Sequence, residues 1–216
     1  MSGTPARTDA GAVYAWLMSP ADPDGFCRHV LACGLAVASA ERGVSLSQAT
    51  GLGWDDLARL VAAEFPHAAS LLDDASPATD GGRPTTIEEP DLRALLLANA
   101  SPQAGPVTAE RLEWLARLIA RRAQCANHLW QDLGLPRRKD LSRLMAEFFA
   151  PLAQANDRDM KWKKFFYRRM CEDEGMSLCK SPVCDSCDDF IDCFSGEDGH
   201  ALLARNARDP KNGPQE

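Results

Sequence analysis

Four cysteines near the C-terminus have the residue type and the spacing to hold a metal. They follow the pattern Cys179-x4-Cys184-x2-Cys187-x5-Cys193. Two thiolates separated by two residues can bind one metal ion or one cluster, and the backbone amides of the loop between them can point toward the sulfurs. The two flanking cysteines add two soft donors within the same short segment. The spacing therefore predicts a four-thiolate site with these cysteines as its ligands.

Three kinds of site use cysteines in this way. Structural zinc usually takes two Cys-x2-Cys pairs separated by a longer spacer, whereas this segment has one such pair. A thioredoxin-like redox pair lies near a βαβ unit, of which the sequence gives no sign. The Cys-x4-Cys-x2-Cys opening is shared with plant-type ferredoxins, although their fourth ligand is more distant. We favour an iron–sulfur type cluster and keep zinc and a redox pair as alternatives.

A fifth cysteine, Cys171, lies eight residues before Cys179. Four thiolates already saturate a simple four-iron cluster, so a fifth is not needed to hold it. Cys171 could be a ligand, a spare thiol for metal exchange, or part of a helix end. We expect it to assist metal exchange more than to hold the cluster.

The other thiols and the imidazoles do not form a second site in the sequence. Cys27, Cys33 and Cys125 are scattered among apolar residues, where a free cysteine behaves as a small hydrophobic residue, so we assign them to packing. The four histidines are dispersed, and His128 fits a helix-packing position better than a ligand position. Because no nucleophile or acid–base constellation is evident, the residues do not favour an enzyme.

The segment 156–170, directly before the cysteines, combines six basic residues with four aromatic residues. Trp162, Phe165 and Phe166 recur at helical spacing, with Arg169 one turn further, and predict a side that faces the core. Positive charge on the rest of this helix would offset the charge of nearby thiolates and could attract an oxyanion such as molybdate. The candidate residues for that role are Lys161, Lys164, Arg168 and Arg169.

The elements that must position these residues are predicted to be helices. Leu, Ala and Arg are abundant, Val and Ile are few, and no stretch alternates apolar and polar residues. We predict an all-α fold, a single helical domain of about six to seven helices with a C-terminal cysteine-rich metal-binding loop. The predicted helices are 10–18, 25–42, 53–65, 86–99, 107–133, 138–154 and 157–172.

Three parts are predicted along the chain. A helical body covers 1–170 and contains exposed loops near 74–86 and 100–106, which are rich in turn-forming residues. The cysteine-rich, cluster-binding segment covers 171–198. The tail at 199–216 has little apolar surface with which to dock, so it is expected to be flexible.

Composition limits the partners and the compartment. The 216 residues carry a formal net charge of −7, arranged as an acidic first half, a basic block at 105–170 and an acidic end. This acidity, with no recognised binding motif, argues against a nucleic-acid binder. The longest apolar stretch is far shorter than the roughly 20 residues of a membrane span, and the N-terminus lacks the features of a signal peptide. We expect a cytoplasmic protein with reduced cysteines and no membrane association.

The combined pattern resembles the NifQ family, molybdenum-delivery proteins of nitrogenase cofactor biosynthesis. The resemblance covers 128–194, about a third of the chain, and it rests on the cysteine spacing and on the segment KWKKFFYRRM at 161–170. A weaker likeness lies at 51–67. The rest of the N-terminal half is too generic to compare.

This resemblance implies a protein that carries an iron–sulfur cluster able to incorporate molybdenum, taken from molybdate or another molybdenum source. It also implies the nitrogenase iron protein and the NifEN scaffold as recipients in nitrogen fixation. Composition and spacing by themselves indicate only a thiolate-rich site on a helical body. An iron–sulfur electron-transfer protein and a structural zinc protein therefore stay open as alternatives, and the cluster nuclearity is not set by the sequence.

Overall fold

Helices form all the regular structure in the part of the chain that the structure describes, which confirms the predicted all-α class. This computed structural model describes residues 5–19, 25–73, 86, 88–101, 109–173, 197 and 202. The α-helices are α1 (Ala10–Leu17), α2 (Phe26–Ser39), α3 (Leu46–Thr50), α4 (Trp54–Glu64), α5 (Glu88–Ala98), α6 (Ala109–Ala123), α7 (Leu129–Asp132), α8 (Arg138–Phe148), α9 (Ala150–Ala155) and α10 (Trp162–Asp173). A 3-10 helix spans Pro66–Leu72. Among these helices, none combines the length and the apolar character needed to cross a membrane.

The core is built around α2, which is buried on all sides. Residues 30–38 of this helix are almost completely shielded from solvent, and α1, α3 and α6 pack around it. Gly34 allows α6 to come close, because a Cβ atom at this position would lie only 2.4 Å from Cδ2 of Leu118. A helix that is apolar around its whole circumference belongs inside a bundle, and α2 occupies that position here.

The hydrophobic pattern misses two short helices. In α3, the Ser45 hydroxyl accepts the Gln48 amide at 3.2 Å and the Gln48 side chain accepts the Ser45 amide at 2.9 Å, which makes a capping box. Five residues are too few to show a helical period, so this helix leaves no periodic signal in the sequence. The 3-10 helix starts at Pro66, directly after α4 ends.

The predicted helix 107–133 is wrong as a single element, because it is divided into α6 and α7 by residues 124–128. In a continuous helix the Cys125 carbonyl would accept an amide four residues later. Here it accepts Nζ of Lys163 at 2.6 Å. The Asn127 side chain donates to Oδ1 of Asp132 at 3.0 Å, which holds the bend closed. Hydrogen bonds from Lys163 and Asn127 thus take the place of the helical hydrogen bonds in this turn.

Two further predicted boundaries are corrected for local reasons. The predicted helix 138–154 breaks at Phe149, because Pro151 lies in the first turn of α9 and cannot donate into the preceding turn. The predicted helix 157–172 begins five residues late, since the Asn156 side chain bonds both backbone groups of Met160 at 2.9 Å and forms a turn instead of a cap. With these divisions the predicted six to seven helices become ten α-helices and one 3-10 helix in the described residues.

Most of the predicted loops and tail fall outside the described residues. Of the loop near 74–86 only Thr86 is described, and of the loop near 100–106 only its first two residues. Of the tail at 199–216 only Leu202 is described. The predicted division into body, cysteine-rich segment and tail stays a prediction.

A substitution at Gly134 tests how tightly the turn after α7 is packed against α2. Its φ of +70° is the left-handed conformation, and an added Cβ would lie 2.7 Å from the Cys33 carbonyl oxygen. Gly134→Ala should lower the free energy of unfolding by about 3 kcal/mol, since backbone strain and overpacking each cost on the order of 1–2 kcal/mol. Gly43→Ala is the matched control, because Gly43 also has a positive φ of +74° but no atom within 4 Å of the added carbon. Urea unfolding measures both variants, and equal losses would contradict the packing argument.

Candidate metal centre

The four predicted ligands, Cys179, Cys184, Cys187 and Cys193, lie outside the residues that the structure describes. The described residues include both flanks of their segment. On the first flank α10 continues to Asp173, and on the second flank Glu197 is described. These flanks fix the end of α10, from which the chain enters the cysteine-rich segment, and the position of one residue beyond Cys193.

An aromatic cluster anchors α10 to the body. Trp162, Phe165 and Phe166 are all buried, which confirms the predicted core-facing side of this helix. The ring centroid of Trp162 lies 5.5 Å from that of Phe165, edge to face, and 5.6 Å from that of Phe166. Arg169, one turn further along, keeps about a third of its side chain exposed and forms the margin of this side. Aromatic pairs of this kind add about 0.5–1.5 kcal/mol beyond the area they bury.

Lys163 forms a second anchor, which the sequence did not indicate. Its ammonium donates to Oδ2 of Asp132 and to the Cys125 carbonyl, both at 2.6 Å. The Asp132 side chain is only 1% exposed, so its charge depends on this partner and on the Asn127 amide. The sequence shows an acidic residue between Leu129 and Leu133, which could have suggested a buried charge, but it does not show which residue is its partner.

The predicted oxyanion residues occupy different environments. Arg168 and Arg169 share one carboxylate, since Glu172 accepts from them at 2.8 Å and 3.2 Å. Lys164 is exposed and Lys161 is half-buried. The structure therefore brings the two arginines together near the start of the cysteine-rich segment. Glu172 offsets part of their charge.

Cys171 lies in the last turn of α10 and is 9% exposed. The structure places Cys171 at the helix end, and its role in metal exchange stays a prediction. The thiol is thus held within a helical turn two residues before the end of α10, at the entrance to the segment that carries the predicted ligands.

The return of the chain is held by a buried carboxylate, that of Glu197, whose side chain is 3% exposed. Nε of Arg138 donates to it at 3.2 Å, and Nδ1 of His128 lies 3.7 Å away. Arg138 also donates to both carboxylate oxygens of Asp159 at 2.7 Å, and these hydrogen bonds raise its pKa above the usual value. Arg138 thus joins α8, the turn before α10 and the far end of the cysteine-rich segment.

Sequence reasoning missed this contact, because nothing local links residue 138 to residue 197. His128 does not lie inside a helix, as a packing role would have required. It precedes α7, where its backbone amide donates to Oε1 of Gln131 at 3.3 Å. In the described part of the chain no group of three or more His, Cys, Asp and Glu side chains is placed to hold a metal ion.

The upstream cysteines divide into two groups. Cys27 and Cys33 are buried in α2, as predicted. Burial, assisted by the Glu64 carboxylate, raises the pKa of Cys27 to about 12, and burial raises the pKa of Cys33 well above its usual value. Both thiols stay protonated near neutral pH and are poor metal ligands, because ligation requires the thiolate. Cys125 is half-buried in the bend between α6 and α7 and lies outside any helix.

These elements define the class of protein as an all-helical body whose C-terminal cysteine-rich segment joins it at α10 and contacts it again at Glu197. The family model NifQ matches residues 30–195. Protein NifQ of Rhodobacter capsulatus is 42% identical over 176 residues, covering 82% of this chain and 90% of the relative. The NifQ homolog of Sinorhizobium fredii is 38% identical over 185 residues, covering 82% and 75%. The chain belongs to the NifQ family. No solved structure gives a significant match to it.

The contact between Arg138 and Glu197 should contribute measurably to the free energy of unfolding. Arg138→Gln should lower the free energy of unfolding by about 1–3 kcal/mol, because it leaves a buried carboxylate without its charged partner. Adding Glu197→Gln to this variant should restore part of the loss, since the unpaired charge is then removed. Arg137→Gln serves as the control, because Arg137 is exposed and pairs with Asp140 alone among the described residues. A double variant no more stable than Arg138→Gln would contradict this account.

The thiol environments predict an order of reactivity. Iodoacetamide at pH 8 should label Cys125 in the folded protein at least about a hundredfold faster than Cys27 or Cys33, whose raised pKa values leave almost no thiolate. Peptide mass spectrometry gives the three rates, and unfolding in guanidinium should make them similar. Equal labelling of Cys27 and Cys125 in the native protein would disprove the assignment.

Proposed function

We propose that the chain is a molybdenum carrier for nitrogenase cofactor biosynthesis, and not an enzyme. In this proposal Cys179, Cys184, Cys187 and Cys193 hold an iron–sulfur cluster, and molybdenum is the cargo. The cluster would supply sulfide bridges at which molybdenum can be held and released. The recipients are the nitrogenase iron protein and the NifEN scaffold, and molybdate or another molybdenum source supplies the metal.

Family membership carries the proposal. The family match ends at residue 195 and so includes all four predicted ligands as well as α10. It also includes both members of the Lys163–Asp132 pair, which holds α10 on the body. The part of the chain that would hold the cargo and the part that would position it therefore lie within one family match.

The donor chemistry fits a cluster of iron and sulfide. Thiolates are the preferred ligands of iron–sulfur clusters, and four lie in one segment. Cys27 and Cys33 are buried in the core with raised pKa values, so they do not compete as ligands. Cys171 stands at the entrance of the segment, where a thiol could occupy a vacated position while the cargo is exchanged.

Metal analysis after anaerobic purification tests this proposal. We expect iron and acid-labile sulfide in the isolated protein, and molybdenum in addition when cells are supplied with molybdate. Zinc without sulfide would replace the proposal with a structural zinc site. Iron and sulfide that never acquire molybdenum would replace it with an electron-transfer protein.

Alanine variants separate the ligands from the exchange thiol. Cys184→Ala or Cys187→Ala should abolish iron binding, because each removes one of the paired thiolates at the centre of the pattern. Cys171→Ala should keep most of the iron but slow molybdenum loading or transfer to an apo-acceptor.

The control for these variants is the triple replacement of Cys27, Cys33 and Cys125 by alanine, which should leave the iron content unchanged. Iron is measured per folded chain, with helicity checked by circular dichroism. If Cys171→Ala loses iron as completely as Cys184→Ala, then Cys171 is itself a ligand and the proposed ligand set is wrong.

A further inference from the structure

Away from the cysteine-rich segment, a small cavity of about 130 Å³ lies between α5, α6 and the turn after α3. Three of its lining side chains are arginines. The full lining consists of Gly51, Glu89, Pro90, Arg93, Arg117, Ala120 and Arg121. A cavity of this size is well below the roughly 300 Å³ of a site for a drug-sized molecule, so its ligand must be small.

Among the described residues, Arg93 is the one arginine of this cavity that has no carboxylate partner. Arg121 is neutralised by Glu89, since its Nε lies 2.9 Å from both carboxylate oxygens. Arg117 shares its charge with Glu113 at 2.9 Å and Asp56 at 3.8 Å. Within the described residues no carboxylate pairs with Arg93, which is half-buried. The cavity therefore presents guanidinium donors that carboxylates only partly satisfy.

Backbone geometry keeps the cavity open. Gly51 has a φ of +72°, and a Cβ there would lie 2.9 Å from Cβ of Arg121 and 3.2 Å from Oε1 of Glu89. The first turn of α5 also lines this wall, but its acidic residues Glu88, Glu89 and Asp91 offset the favourable end of its peptide dipoles. Glycine thus leaves a space that any other residue would fill, and that space is bordered by Arg93, by Arg117 and by the Arg121–Glu89 pair.

The cavity is connected to α10 through a short series of contacts. Gln124, one turn beyond the arginines on α6, accepts from the Tyr167 hydroxyl at 3.3 Å and from the Thr86 hydroxyl at 3.1 Å. Besides burial, the Glu88 carboxylate raises the pKa of Tyr167, so the start of α5 lies within electrostatic range of α10. The cavity and the helix that leads to the cysteines are therefore neighbours.

We infer that this cavity binds one small tetrahedral oxyanion through Arg93 and Arg117. Planar guanidinium groups match the oxygen edges of such anions and form strong charge-assisted hydrogen bonds with them. That the natural ligand is molybdate rests on the proposed function. Sulfate and phosphate share the same chemistry, so the experiment must compare all three.

Equilibrium dialysis with molybdate tests this inference on the full chain carrying Cys184→Ala and Cys187→Ala, so that the cysteine site cannot contribute. We expect one saturable equivalent per chain, which sulfate or phosphate displaces. Arg93→Gln should weaken binding about tenfold or more, the usual loss for one charge-assisted contact. Arg59→Gln is the control, because Arg59 is an exposed arginine that contacts the same Asp56 as Arg117 but does not line the cavity.

Three results would overturn the inference: no saturable binding of any of the three anions, equal weakening by Arg93→Gln and Arg59→Gln, or molybdate binding that is lost with the two cysteines. The last result would leave the carrier proposal intact. Conversely, if the variant binds the anion but the protein with all its cysteines never acquires iron, the carrier proposal is rejected and this oxyanion site stands.

Discussion

The fold depends on two adjacent buried guanidinium groups, those of Arg121 and Arg122 near the end of α6. Their acceptors are the carboxylates of Glu89 and Glu41 and the backbone carbonyls of Gln48, Ala49 and Asp132. These three carbonyls lie at the ends of α3 and α7, where carbonyl groups have no partner within their own helix. Helices of four or five residues are not stable alone. Their presence here follows from the guanidinium donors that α6 supplies.

Asp132 extends this arrangement toward the candidate metal centre. Its carbonyl accepts from Arg122, while its carboxylate accepts from Lys163 of α10. A buried carboxylate is costly without a charged partner, so α10 is held in one position relative to α6 and α7. The aromatic side of α10 then fixes its rotation. Through these contacts the core determines where the cysteine-rich segment begins, and Arg138 holds Glu197 against the body.

This construction suits a carrier. The thiols that must stay inert are in α2, where burial keeps them protonated. The thiols proposed to hold the cargo are in a segment that follows the helical body, so cargo exchange need not disturb the core. The arginine-lined cavity lies beside the first turn of α5, which packs against α10, so the oxyanion proposed to bind there would lie close to the helix that leads to the cysteines. The cysteine thiolates and the guanidinium groups of the cavity thus belong to different parts of the chain.

The sequence by itself determined the features that depend on residues close together in the chain. The cysteine spacing is visible directly, because the four residues lie within one short segment. The helical period indicates the all-helical class and the buried side of Trp162, Phe165 and Phe166, because each turn of a helix repeats the pattern. Tertiary structure alone decided the break after α6, the Lys163–Asp132 pair, the Arg138–Glu197 contact and the arginine cavity. Each joins residues from separate elements, and whether a buried charge finds its partner depends on how those elements pack. A short window of sequence does not show which residues from distant parts of the chain will lie close together in the fold.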